Sequence, residues 1–195
     1  DLLKYLDPPV AHVVTSLSSQ SPQALLPEWI MARMANPASI SIISDALMKT
    51  PRPCLAVDTR VITVAQAVAH LRTEGVAASP GNLLDDAILL DKAIDLRRMA
   101  APYGHAMWPM DEGSQVVATC TGAMPGLRVL DLCAGFGGKT QALLRDGAHV
   151  VAADISRRRL EHAGRRLSGE RNVEFVVADG ARDDFSDATF DRVLV

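Results

Sequence analysis

The residues of this chain with the clearest capacity for chemistry are a glycine-rich run, Cys133-Ala134-Gly135-Phe136-Gly137-Gly138-Lys139, and two acids that follow it, Asp154 and Asp179. The run ends a strand and opens into a helix, the place where open α/β sheets bind ligands. Glycines there let the backbone turn tightly and approach a ligand with no Cβ in the way. Three ligand classes use such loops. A nucleoside triphosphate requires G-x-x-x-x-G-K-[ST]; Gly138-Lys139-Thr140 supply its last three positions, but Cys133 stands where the first glycine belongs. A dinucleotide requires G-x-G-x-x-G; Gly135 and Gly137 fit, and Thr140 takes the third position.

The third class is S-adenosyl-L-methionine, which has no phosphate and calls for acids further along the chain. Asp154 lies 19 residues after Gly135, at the end of a second strand, where a carboxylate accepts hydrogen bonds from both ribose hydroxyls. Asp179 ends a third strand and is suited to the adenine amino group. An acid at the end of both strands favours this class over the other two. Plainer roles stay open: Asp154 as a cap for the helix after Ser156, Asp179 as a turn residue, Lys139 as a solvated helix residue. Cys133 reads as a small loop residue rather than a nucleophile, having no base near it in sequence.

The elements that must position these residues form a regular series. Strands are expected at Arg128–Cys133, His149–Asp154, Val173–Ala178 and Phe190–Val195, with helices at Gly138–Arg145, ended by Gly147, and from Ser156 to about Leu167. Strand–helix alternation with short loops predicts a parallel sheet covered on both faces. Upstream, Cys54–Val57 and Ala87–Leu90 read as strands. Thr63 caps a helix to Glu74, with Val64, Ala67, Val68 and Leu71 on one face and Gly75 ending it. A helix entered through Asp111 follows at 111–121. Residues 25–50 read as helical, with Pro27 in a first turn, Pro37 dividing the segment in two, and Ile30, Met34, Ile42, Ile43 and Leu47 as apolar stripes. Residues 1–24, with Pro8, Pro9 and a Ser-rich stretch, read as the tail of a preceding helical domain and a linker. The expected fold is α/β: an incomplete Rossmann-like methyltransferase sheet over 109–195, preceded by a small α/β module over 25–108.

Composition bounds the function only loosely. The 195 residues are 48% hydrophobic and 22% charged with net charge −3, as in ordinary soluble domains, so nucleic-acid binding through a basic face is neither demanded nor excluded. Three cysteines without repeating spacing (Cys54, Cys120, Cys133) argue for a reducing cytoplasm over a disulfide framework, and no metal-ligand cluster is visible. No apolar run reaches the length of a membrane span. Asp1 at the start and an apolar strand at the end read as the ends of a fragment.

Val129-Leu130-Asp131-Leu132-Cys133-Ala134-Gly135-Phe136-Gly137-Gly138-Lys139-Thr140 resembles the L-D-x-C-A-A-P-G-G-K-T motif of the RNA 5-methylcytosine methyltransferases of the Sun/Fmu/Nop type, whose bacterial members include a 16S ribosomal RNA cytosine methyltransferase. Leu26-Pro27-Glu28-Trp29-Ile30, Met110-Asp111-Glu112-Gly113-Ser114-Gln115, Val151-Ala152-Ala153-Asp154-Ile155-Ser156 and Phe190-Asp191-Arg192-Val193-Leu194-Val195 match further family stretches in order. The resemblance covers about 25–195. It implies that residues 133–139, Asp154 and Asp179 hold the cofactor and that 25–108 helps grip RNA. It also implies that a cysteine thiolate attacks C6 of cytosine while a second cysteine helps release the product. Those cysteines lie in D-A-P-C and T-C motifs expected after Val195. No catalytic residue is therefore assigned here, and the fragment alone is expected to be inactive. The chain departs from the pattern at Gly135-Phe136, where the family has Ala-Pro. Gly plus Phe loosens a loop that proline would stiffen. This departure motivates the alternative of a catalytically silent RNA-binding or assembly module.

Six arginines between 156 and 171 against Glu161 and Glu170 form a net basic stretch. It suits either a phosphate backbone or, the reading preferred, a solvated helix face with i,i+4 pairing along Arg157–Glu161–Arg165. Trp108 is assigned to packing at the domain junction.

Overall fold

The computed structural model describes residues 27–33, 37–47, 49–96, 101–183, 185 and 189–195. The segment expected as a helical tail and linker, 1–24, lies outside them, as does Met34. Two compact units divide at Pro51. The described part of the first holds α1 (Glu28–Met31), capped by Pro27, and α2 (Pro37–Leu47). The prolines thus punctuate this segment as expected. Its apolar stripes do not find cover: Ile42 and Leu47 are exposed, while the buried side chain is Ser44, whose hydroxyl donates to the Ile40 carbonyl at 2.6 Å.

The second unit, Arg52–Val195, contains two four-stranded sheets. The first comprises β1 (Cys54–Val57), β2 (Ala78–Pro80), β3 (Ala87–Leu90) and β4 (Met107–Pro109) in the order β2-β3-β1-β4, every pair antiparallel. Strands β2 and β4 escape sequence reading because each has three residues and ends in proline, which is tolerated on the edges they occupy. The alternation sorts side chains cleanly. Leu55, Val57, Ile88, Leu90 and Met107 pack with α3 (Val64–Thr73) in one cluster. Thr63 closes a reciprocal capping box with Gln66, and Gly75 takes φ +77° where α3 ends. On the opposite face Cys54, Ala56 and Ala87 are small. This lets α4 (Glu112–Cys120), entered through Asp111, approach β1.

The second sheet comprises β5 (Arg128–Asp131), β6 (His149–Asp154), β7 (Val173–Val177) and β8 (Arg192–Leu194), ordered β7-β6-β5-β8 and parallel throughout. Helices α5 (Gly138–Arg145) and α6 (Arg157–Arg166) connect the first three strands. Val129, Val150, Leu143, Leu144 and Leu167 form the core on the helix side, and Leu130, Val151, Ala153 and Ala178 the other face.

Helix α5 is the seam between the sheets. The Trp108 indole N–H donates to the Gly138 carbonyl at 3.2 Å, Gln141 Nε2 donates to the His105 carbonyl at 2.7 Å, and Arg145 pairs with Asp86. These positions share one face of the helix. Trp108 is 1% exposed and sits opposite Ala56 on the neighbouring strand, filling the space left by the small face.

Candidate functional site: a glycine loop and two acids on the strand tips

The loop leaves β5 as foreseen. The Ala134 amide donates to the Ala153 carbonyl at 2.9 Å, anchoring the loop to β6, and the Gly137 amide donates back to the Ala134 carbonyl at 2.8 Å. Gly135 and Gly137 adopt φ of +57° and +78°, the region other residues avoid. Gly137 is needed on a second count: a Cβ there would stand 3.0 Å from the Ala163 Cβ on α6. Thr140, fully buried, donates from its hydroxyl to Asp131 Oδ2 at 2.7 Å. Burial raises the Asp131 carboxyl above its ordinary range, partly offset by the Thr140 bond and Lys139.

Cys133, Asp154 and Asp179 meet on one hollow of about 450 Å³, with Leu132, Ile155 and Gly180 among its other walls. Asp154 is nearly sealed and already well supplied with donors. Its Oδ2 accepts from the Gly135 amide at 2.8 Å, and its Oδ1 from the Ser156 amide at 2.8 Å and from Arg159 at 3.0 Å. It therefore clamps the loop and caps the turn into α6 together. Asp179 is more open and accepts from the Ala181 amide at 3.0 Å. Gly180, which sequence reading passed over, packs so close to Leu132 that a Cβ would sit 2.8 Å from its Cγ. Ala134, Gly137, Gly138 and Lys139 shape the loop and its exit helix without lining the hollow. Phe136 turns elsewhere: it is 57% exposed and meets His162 of α6 edge-on, ring centres 5.5 Å apart.

Of the other cysteines, Cys54 is buried and its thiol is pushed up to about 11, chiefly by desolvation and then by Glu112 and Asp111. A thiol held protonated in that way is a packing residue. Cys120 is exposed on α4.

The two sheets correspond to two family models. One, described as a methyltransferase domain, matches residues 129–195; the other, the ferredoxin-like domain of RsmF/B-like methyltransferases, matches 26–97. The class is thus a methyltransferase fold fitted with a ferredoxin-like module ahead of its glycine loop. That module and its place in the chain order are like those of the RsmF/B-like methyltransferases, whose ferredoxin-like domain the chain matches over 26–97. Over 178 residues it is 29% identical to ribosomal RNA small subunit methyltransferase B of Yersinia pestis bv. Antiqua (strain Angola), an alignment covering 88% of this chain and 42% of that protein. Over 81 residues it is 49% identical to demethylmenaquinone methyltransferase of Clavibacter sepedonicus, covering 40% of this chain and 33% of that one. The chain therefore spans less than half the length of these relatives. A methyltransferase homolog protein from Pyrococcus horikoshii shares the fold, with a TM-score of 0.67 at 22% identity over 79% of this chain and 52% of that one. Among the described residues, no helix is long and apolar enough to cross a membrane.

Proposed function

We propose that this chain carries the cofactor site of an S-adenosylmethionine-dependent methyltransferase that modifies cytosine C5 in RNA, ribosomal RNA above all, in the cytoplasm. The observation that carries the cofactor assignment is the convergence of Asp154 and Asp179 on one hollow beside the glycine loop. Two carboxylates, with Arg159 beside them, can accept from the hydroxyl and amino groups of a nucleoside. The volume of about 450 Å³ suits a ligand of that size. When bound, the cofactor supplies a methyl activated by a sulfonium. In this reading Asp154 receives the ribose hydroxyls, Asp179 the adenine amino group, and residues 133–139 surround the methionine portion. The division into an RNA-gripping module over 25–108 and a catalytic domain from 109 belongs to the same proposal, as do the thiol nucleophile and its partner after Val195.

RNA is favoured as acceptor because the likeness to the ribosomal RNA methyltransferase runs through both sheets, over 88% of the chain. A second reading, a small-molecule acceptor such as demethylmenaquinone, is favoured by the higher identity over 81 residues. The deciding experiment uses the full-length protein. Titration calorimetry with S-adenosylhomocysteine should show binding, weakened about 10- to 100-fold in Asp154→Ala, because a buried charged acceptor is lost. Label from the methyl donor should then appear in small-subunit ribosomal RNA at cytosine. Absence of cofactor binding overturns the assignment of the hollow. Label in demethylmenaquinone and none in RNA establishes the second reading.

A further inference from the structure

A larger cavity, about 730 Å³, opens between the small sheet and α6. Its walls carry His105 and Trp108 from around β4, and His162, Arg165 and Arg166 from α6; Asp95 is the acid among them. Arg166 is the unusual member. Its Nε and Nη2 are sealed from water with no hydrogen-bond partner among the described residues. The guanidinium packs beneath the loop, Nη2 lying 3.4 Å from where a Cβ on Gly137 would be. Arg166 is half-buried, and sealed N–H groups without an acceptor are costly and in folded proteins are ordinarily paired. Burial lowers the Arg166 pKa, and no neighbouring carboxylate counters it.

The expected pairing along α6 does not supply the acceptor. Among the described residues Glu161 pairs with neither Arg157 nor Arg165; Arg159 turns to Asp154, and Glu170 pairs with Arg60 at 3.2 Å. No carboxylate among the described residues answers Arg166, and it lines the cavity together with Arg165, His105 and His162, so a ligand that enters there is favoured when it is anionic. Guanidinium groups match phosphate oxygens in a forked geometry. The cavity holds more than a single ion, and at its margin stand the exposed Phe136 ring and His162, flat faces of the kind that bases stack on. Arg165 and Arg166 together make the α6 wall of the cavity positive.

We infer that the cavity between the small sheet and α6 is a phosphate-binding site centred on Arg166, which takes a backbone phosphodiester of the RNA strand while Arg165 steers it in. This rests on the RNA reading above. The site shares no lining residue with the cofactor hollow, and Arg166 ties it to the glycine loop, beside Gly137.

The test compares full-length wild type with Arg166→Met and Arg165→Gln. Three quantities are measured: melting temperature with and without inorganic phosphate, affinity for a short single-stranded RNA across a salt series, and affinity for S-adenosylhomocysteine. Arg166→Met should melt higher than wild type, because an unpaired buried charge is gone. It should bind RNA about tenfold more weakly, with a log–log salt slope shallower by about one. Arg165→Gln should flatten the slope at unchanged melting temperature. Cofactor affinity should hold in both. A lower melting temperature for Arg166→Met with intact RNA affinity overturns the site, as does a loss of RNA and cofactor affinity together, which would make Arg166 a prop for the loop. If wild type transfers no methyl to RNA and binds none, yet phosphate stabilises wild type and not Arg166→Met, the RNA reading falls and the anion site stands with free phosphate as its source. If neither RNA nor phosphate distinguishes the proteins, the inference fails.

Discussion

Asp154 and Arg166 both lie against the same glycine loop, yet the nearly sealed carboxylate is met by three donors while the sealed Nε and Nη2 of the half-buried guanidinium have no acceptor among the described residues. On the strand-tip side, the Gly135 and Ser156 amides and the Arg159 side chain fix the Asp154 carboxylate before any ligand arrives. That hollow is preorganised, and a ligand entering it competes with bonds already made. On the helix side, the walls set up a charge and leave it waiting. The difference separates a site whose geometry is internally complete from one whose electrostatics become complete on binding.

The largest expected effect removes a wall of the helix-side cavity that also bonds the first turn of α5. Trp108→Ala deletes a fully buried ring and its bond to Gly138, at a cost of about 3–5 kcal/mol. Chemical denaturation should show the loss, and cofactor affinity should fall with it. An intact cofactor affinity would mean that the strand-tip hollow stands without the small sheet.

Gly137→Ala acts on the partition itself. It forces a side chain into φ +78° and against Ala163, and should destabilise by about 1–3 kcal/mol. Because Arg166 lies just beyond, RNA and cofactor affinities should decline together. A decline in only one, read by calorimetry, would show that the two regions are more independent than their shared loop implies.

Asp131→Asn sharpens the comparison through pH. Burial raises the Asp131 carboxyl, so the folded chain binds that proton more tightly than the unfolded one, and its ionisation costs stability as pH climbs from the ordinary carboxylate value through the raised one. The asparagine variant keeps an acceptor for Thr140 and has no charge to bury. It should melt above wild type at pH 8, with the gap closing as pH falls. A variant that melts lower at pH 8 would show the charge to be stabilising.

The smallest effect is expected from Arg159→Ala. It frees one lone pair on Asp154 Oδ1 and should tighten S-adenosylhomocysteine by about two- to threefold, since the Arg159 end of the pair is open to water and its attraction is screened there. Weaker binding would show that Arg159 holds the acid in place for the ligand.

Much of the strand-tip site was legible from spacing. The bounds of β1, β3, β6 and α5, the capping roles of Thr63, Asp111 and Ser156, and the meeting of Asp154 with Asp179 all follow from period, caps and glycine placement. These are local signals, and a parallel sheet brings consecutive strand ends together whatever the rest of the chain does. The Gly135 amide on Asp154 was not legible, because an acid's position says nothing of which donor reaches it first. Strands β2 and β4 were hidden by brevity and proline. The cavity was hidden for a deeper reason: periodicity along α6 tells which arginines share a face, and only tertiary packing decides that Arg166 is half-buried against the glycine loop while Arg165 stays exposed. The stripes of α2 misled in the same way, since the burial of Ser44 and the exposure of Ile42 depend on tertiary surroundings.

Helix α5 spans about 12 Å. Its first turn carries the glycine loop, and its last turn holds Arg145, which reaches the Val57 carbonyl and Asp86 in the small sheet. A rod gripped at both ends ties the exchange of amide hydrogens in β1 to the occupancy of a cleft on the far sheet. Protection of Leu55 and Val57 amides should therefore rise when the nucleoside binds, although no atom of the ligand comes near them.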